Sequence, residues 1–152
     1  MCSSISLAVG TNIISVLVTA ENGVTTTYTI TVTRAASSVS TLSSLVLSAG
    51  TLSPSFSAGT GSYTASVANS TSSVTVIPTV SDNYATVKVN NVTVSSGSAS
   101  SPLSLAVGEN TITVQVTAQD GVTTSTYTLA VTRAASSVST LSNLVLSDGT
   151  LS

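Results

Sequence analysis

The chain has 152 residues, of which 41% are hydrophobic, 5% charged and 3% aromatic, and its formal net charge at neutral pH is −2. This combination disfavours intrinsic disorder, and the three basic residues provide no patch that could bind nucleic acid. No apolar run approaches the roughly 20 residues that span a bilayer, so membrane insertion is not expected. The abundance of Val and Thr favours an all-β fold, because these side chains suit pleated, half-buried surfaces.

Residues 1–34 are predicted to hold the last strands of a β-domain. Their stretch ISLAVGTNIISVLVTAENGV, residues 5–24, returns as LSLAVGENTITVQVTAQDGV in residues 103–122, at an offset of 98. From Tyr28, which corresponds to Tyr127, the offset is 99, so one extra residue lies in a turn, where insertions are tolerated. Because an isolated hairpin is marginal in water, this segment is expected to need further strands.

Two apolar residues of this segment, Ile13 and Leu17, stand where the later copy has Thr111 and Gln115. Strand alternation places them on the face that points away from the domain core. One interpretation is ordinary drift, since single exposed apolar residues are common. The other is that Ile13 and Leu17 form an interchain contact, which covers this face in an assembly.

A polar connector, AASSVST, occupies residues 35–41 and recurs letter for letter in residues 134–140. A connector of this length spans at most about 25 Å when fully extended. Consecutive domains on either side of it are therefore expected to lie nearly end to end. The identical sequence of the two connectors indicates that both set the same distance between consecutive domains.

Residues 42–133 form one complete copy of the repeat, with strand candidates bounded by turn residues. The candidates are residues 42–48, 62–67, 73–80, 86–90, 102–107, 111–118 and 126–132, with a short VTV after Asn90-Asn91. Pro78 cannot donate to a β-ladder, so its strand is expected at an edge or with a bulge. Asp120-Gly121 is predicted to make a hairpin turn. The period of about 99 residues suits one β-sandwich, in which two antiparallel sheets pack face to face.

Residues 141–152 are predicted to be the first strand of a following repeat, since LSNLVLSDGTLS matches LSSLVLSAGTLS in residues 42–53. Leu144 and Leu146 are therefore candidates for an interchain contact. Two interpretations of the incomplete ends stay open. Either the chain is a window from a longer tandem array, or its ends are completed by neighbouring chains through strand addition.

Several stretches of the complete copy carry a resemblance to a known family: LSSLVLSAGTLSPSF, SYTASV, SVTVIPTV and LAVGENTITVQVTAQDGVTTSTYTLAVTR. The most specific is the G-x-N-x-I-x-V-x-V-x-A-x-DG block in residues 108–121. On these stretches the copy resembles the bacterial cadherin-like β-sandwich domain, an immunoglobulin-like repeat of large surface and secreted proteins. The resemblance implies an all-β, immunoglobulin-like antiparallel β-sandwich of about seven strands, in extracellular tandem repeats with structural or adhesive roles. It implies no enzyme.

Few residues suggest a ligand site. Calcium sites need six or more oxygen ligands, usually from clustered carboxylates, whereas the five acidic residues here are scattered. The chain has no His, so its many Ser residues lack the usual base for nucleophilic catalysis. We therefore expect no cofactor, no metal and no enzyme activity. The candidate ligand loop is Asp82-Asn83-Tyr84, where an exposed ring could stack on a sugar.

These observations predict an extracellular structural protein whose sandwich domains line up head to tail in a fibre, stalk or self-associating surface filament. Its expected partners are copies of itself, with strand addition as one route of association. The alternative is an adhesive or carbohydrate-binding surface module. An extracellular or cell-surface location is expected from the composition and the resemblance alone. The residues given contain no signal-peptide pattern.

Overall fold

The computed structural model describes residues 4–145, 147 and 148. Within that part of the chain there are eleven strands and no helix. The strands are β1 (Gly10–Thr19), β2 (Thr25–Arg34), β3 (Leu42–Leu47), β4 (Ser62–Val67), β5 (Ser73–Val74), β6 (Val76–Val80), β7 (Thr86–Val89), β8 (Val92–Val94), β9 (Leu103–Ser104), β10 (Gly108–Thr117) and β11 (Thr124–Arg133). The all-β prediction is confirmed, and none of the described residues forms a helix that could cross a membrane.

Strands β3 to β11 build a sandwich, which we call the body. One layer is a five-stranded sheet in the order β4-β11-β10-β7-β8, and the other consists of the two-stranded ladders β3-β6 and β5-β9. Most pairs are antiparallel as predicted, but β4 runs parallel to β11, with Tyr63 opposite Leu129. Parallel neighbours need a long crossover, and here the intervening strands β5 to β10 provide it.

The core lies between the two layers and is built by strand alternation. In β10, Ile112, Val114 and Val116 are buried while the residues between them are exposed or half-buried. In β4, Tyr63 and Ala65 are buried in the same alternating way. The alternation arises because side chains of successive strand residues point to opposite sides of the sheet.

The segment 73–80, predicted as one strand, is divided into β5 and β6. In the described residues β6 pairs only with β3, and the register of that ladder shifts between Leu42 and Ser44. Pro78 therefore sits in an edge strand next to an irregular ladder, as its missing N–H requires. The predicted strand 102–107 forms pairs only over Leu103–Ser104.

Strands β1 and β2 form a separate hairpin. They pair with each other in antiparallel register, from Gly10 opposite Arg34 to Thr19 opposite Thr25, and with no other strand in the described residues. Gly23 closes the turn with a φ of 84° and donates to the carbonyl of Ala20 at 2.9 Å. The turn, residues 20–24, is one residue shorter than the β10–β11 turn, residues 118–123, which agrees with the change of sequence offset.

Residues 134–145 follow the body without forming a strand in the described chain. We call residues 134–148 the tail. The first-strand assignment of residues 141–152 stays a prediction, and residues 146 and 149–152 of that segment lie outside the described residues.

Candidate functional site

The hairpin β1–β2 presents an apolar face, here called the inner face, that is open to solvent. Its most exposed members are Val16, Val18, Tyr28 and Ile30, with exposed fractions of 44%, 51%, 59% and 51%. The residues at the corresponding positions of β10 and β11 are at most 2% exposed: Val114, Val116, Tyr127 and Leu129. The same side chains thus form a buried core in the body and an open surface in the hairpin.

The hairpin keeps the local geometry of β10–β11 even though its face is open. The amide side chain of Asn12 accepts a hydrogen bond from the Ala8 N–H and donates to the Ala8 carbonyl, both at 2.8 Å. Asn110 makes the same two bonds with Ala106, also at 2.8 Å. The exposure of the inner face therefore reflects a missing second layer, because the hairpin itself is not distorted.

The outer face of the hairpin carries the predicted contact residues Ile13 and Leu17. They are 69% and 63% exposed and lie opposite Thr31 and Thr27 of β2. The inner face of the hairpin is therefore apolar, while the outer face carries two exposed apolar side chains among Thr and Ser residues. Full burial of one Val or Ile side chain is worth about 1.5–3 kcal/mol. Contiguous apolar surface of this kind usually marks an interaction site.

The connector, residues 35–41, is bonded to the turn between β10 and β11. The Ser37 N–H donates to Gln119 Oε1 at 3.0 Å, and the Ser37 carbonyl accepts from the Asp120 N–H at 3.1 Å. Further along, the hydroxyls of Ser40 and Ser125 are hydrogen-bonded at 2.8 Å, and Ser40 is buried. The connector therefore lies along the body that follows it and is more than a spacer.

A fourth bond anchors the start of β3. The Leu42 N–H donates to Tyr127 Oη at 3.0 Å, and that hydroxyl donates to the Ala58 carbonyl at 3.2 Å. Leu42 is fully buried. Sequence reasoning missed this docking of the connector. The one signal for it was the letter-for-letter repetition of a polar segment, which a purely flexible spacer does not need.

The second connector, residues 134–140, has the same local turn, but of these residues only Ala134 is hydrogen-bonded to the body, through the Val67 carbonyl and the Asn69 side chain. The Val138 N–H donates to Ser136 Oγ at 3.2 Å, as the Val39 N–H does to Ser37 Oγ at 3.3 Å. Residues 134–145 are exposed throughout, and the predicted contact residue Leu144 is 57% exposed. Leu146, the other predicted contact residue of the tail, lies outside the described residues.

The candidate ligand loop, Asp82-Asn83-Tyr84, forms a turn before β7. Hydrogen bonds from the Ser37 hydroxyl and from the Tyr84 N–H lower the pKa of Asp82 below its usual range. The Tyr84 N–H donates to Asp82 Oδ1 at 3.0 Å, while the side chains of Asn83 and Tyr84 are exposed, Tyr84 by 64%. The structure brings these three residues together in space, but it does not join them to the hairpin or the tail.

Two shallow grooves lie elsewhere on the body. One, of about 270 Å³, is lined by residues of β3 and the loop after it, including Leu52 and Phe56. The other, of about 240 Å³, runs along Gly61 and Thr126. Neither is lined by a charged side chain or by the loop 82–84. In the described residues no cluster of three or more Asp, Glu, Cys or His side chains could hold a metal ion.

The fold and the repeated β10–β11 pattern agree with one family model. The model of the cadherin-like beta sandwich domain matches residues 2–35 and 42–134. This chain belongs to the cadherin-like β-sandwich family. The two matched ranges of the cadherin-like chain are separated by residues 36–41, which belong to the connector that docks on the body. Domains of this family are typically extracellular or surface modules, and the family suggests an adhesive or structural role. No curated protein matches the sequence.

Proposed function

We propose that this cadherin-like chain is a structural repeat protein, whose β-sandwich domains line up head to tail in a fibre, stalk or self-associating surface filament. One observation carries the proposal: the first connector is bonded to the body that follows it, and an identical connector leaves that body. A connector held at Ser37, Ser40 and the start of β3 sets a fixed distance between consecutive domains, which is the property that a stiff filament needs.

The surface chemistry supports association. Only 5% of the residues are charged and the net charge is −2, so copies of the chain repel each other weakly. The proposed role needs no catalysis, and the chain has no His to act as a general base at neutral pH. Stability of the assembly would come from strand pairing and apolar burial alone.

Electron microscopy of the protein at high concentration tests the proposal. We expect extended particles with an axial repeat close to the length of one domain, about 35 Å for a ten-residue strand. Dispersed single particles at every concentration would contradict the filament.

A carbohydrate-binding or adhesive surface module is the second candidate, and the 64% exposure of Tyr84 beside Asn83 favours it. Aromatic rings stack on sugar faces through their apolar surface. In a glycan-binding assay, this role predicts a ligand whose binding is lost in Tyr84→Ala and kept in Tyr28→Ala. Equal binding by both variants would remove it.

A further inference from the structure

We propose that the tail of one copy of this chain docks on the hairpin β1–β2 of a second copy, in the arrangement that residues 35–47 adopt on β10–β11 within the body. The proposal rests on the proposed head-to-tail function and names its contact. It also names the occupant of the open inner face: residues 136–147 of another copy.

The body shows how the docked arrangement is made. Residues 35–42 are held at three points of the β10–β11 hairpin: the turn at Gln119 and Asp120, the Ser125 hydroxyl and the Tyr127 hydroxyl. Beyond them the side chains of β3 belong to the same buried core as those of β10 and β11. Polar bonds therefore set the register, and apolar burial follows.

The hairpin β1–β2 retains a group of the right kind at each of these points. In the order just given, the counterparts are Glu21 and Asn22 in the turn, Thr26 in the strand and Tyr28. A Glu carboxylate accepts a hydrogen bond as the Gln oxygen does, a Thr hydroxyl replaces a Ser hydroxyl, and the tyrosine is kept. The hairpin thus keeps a partner for each bond that the connector makes to β10–β11, whereas the two bonds of Thr41 with Ser81, outside β10–β11, have no counterpart in it.

The tail retains the matching groups on its side. Its residues 134–140 are identical to the docked connector, and the positions of Leu42, Leu45 and Leu47 are again Leu in LSNLVLS. In the body those three side chains are at most 7% exposed. In the tail, Leu141 and Leu144 are 77% and 57% exposed. The tail therefore carries both the polar residues and the apolar residues that the contact needs, and those that the structure describes are exposed.

A second copy is the occupant that the contact pattern favours. Within one chain the inner face of the hairpin and residues 134–145 of the tail are both exposed, so these described residues do not cover the hairpin. Two hairpins packed face to face would bury the inner faces but would leave the Tyr28 hydroxyl without its Leu N–H donor and the tail still exposed. Docking of the tail gives the Tyr28 hydroxyl a Leu N–H donor and also buries the tail, in the register that residues 35–47 have within the body.

The test is sedimentation equilibrium of the full 152-residue chain and two matched variants. Leu144 corresponds to buried Leu45, whereas Val145 corresponds to Val46, which is 48% exposed in the body. Both tail residues are exposed in the single chain, so neither L144D nor V145D should disturb its fold, which circular dichroism checks. We expect L144D to raise the dissociation constant roughly a hundredfold or more, and V145D to change it less than about threefold.

A second measurement tests peptide binding to the L144D variant, because its hairpin is unchanged while its own tail should no longer bind. A synthetic peptide of residues 136–147 should shift the amide resonances of Glu21, Thr26 and Tyr28, and the same peptide carrying the L144D change should not. A monomeric wild type that also gives no peptide shift overturns the proposal. If L144D associates as strongly as the wild type, the proposal is overturned too. In that case a variant V16D that no longer associates would identify packing of one hairpin against another.

Failure of the contact and failure of the function give different results. If L144D loses association but the wild type forms no filaments in the microscope, the docking stands and the structural role fails. If filaments persist unchanged in L144D, the structural role stands and the docking fails.

Discussion

At the scale of single residues, Tyr127 joins the connector end of the body to its core. Its hydroxyl accepts from the Leu42 N–H and donates to the Ala58 carbonyl, and its ring centroid lies 6.4 Å from that of Phe56. Its counterpart Tyr28 occupies the same place in the hairpin but is 59% exposed. Two chemically identical residues in one chain therefore differ only in what lies over them.

This difference predicts unequal effects of removing one oxygen atom. Tyr127→Phe keeps the ring contacts but leaves the buried Leu42 N–H without an acceptor, which costs about 1–3 kcal/mol of the free energy of unfolding. Tyr28→Phe, at an exposed site, should change it by less than about 0.5 kcal/mol. Urea denaturation of both variants at low protein concentration measures the difference. Equal effects would mean that the Tyr127 hydroxyl is not a structural anchor.

At the scale of elements, strand positions could be predicted where alternation is strict. Strand β4 spans the predicted residues 62–67. The ladder of β10 with β11 contains the predicted strands except residue 118, and the predicted turn at Asp120-Gly121 connects the two strands. A period of two along the sequence determines which side chains face the core, so these predictions needed only local information.

The relations that the sequence could not show are long-range. The parallel pairing of β4 with β11 joins residues more than 60 positions apart, and no local pattern distinguishes a parallel from an antiparallel neighbour. The docking of the connector depends on single hydrogen bonds from Ser37 and Ser40, and Ser residues are common throughout the chain. The candidate contact residues Ile13 and Leu17 were found by comparing the two copies, and their contact stays a prediction.

The two identical connectors allow an internally controlled prediction. The first is hydrogen-bonded to the body and the second is exposed, although their sequences are the same. In the dilute single chain, backbone ¹⁵N order parameters should be about 0.85 for residues 36–40 and below about 0.6 for residues 135–139. Equal values would show that the hydrogen bonds of Ser37 do not order the connector. Gln119→Ala should lower the first set toward the second.

At the scale of the whole molecule, the chain combines a closed sandwich with an open hairpin and an exposed tail. The body satisfies its own buried groups: in the described residues no buried side-chain nitrogen or oxygen lacks a hydrogen-bond partner. The hairpin repeats the apolar core positions of β10–β11, and Leu141 and Leu144 of the tail repeat those of β3, but here these side chains are exposed or half-buried. Since apolar burial drives both folding and association, the uncovered parts are where copies of the chain should meet.

Tyrosine nitration followed by mass spectrometry tests this claim most directly, because the chain carries its own controls. Tyr84 is 64% exposed and should react in every state, while Tyr63 and Tyr127, each 2% exposed, should stay protected. We predict that Tyr28, 59% exposed in the single chain, reacts as fast as Tyr84 in L144D and becomes protected like Tyr127 in the assembled wild type. Nitration of Tyr28 at the rate of Tyr84 in the assembled wild type would contradict the covering of the hairpin by another copy.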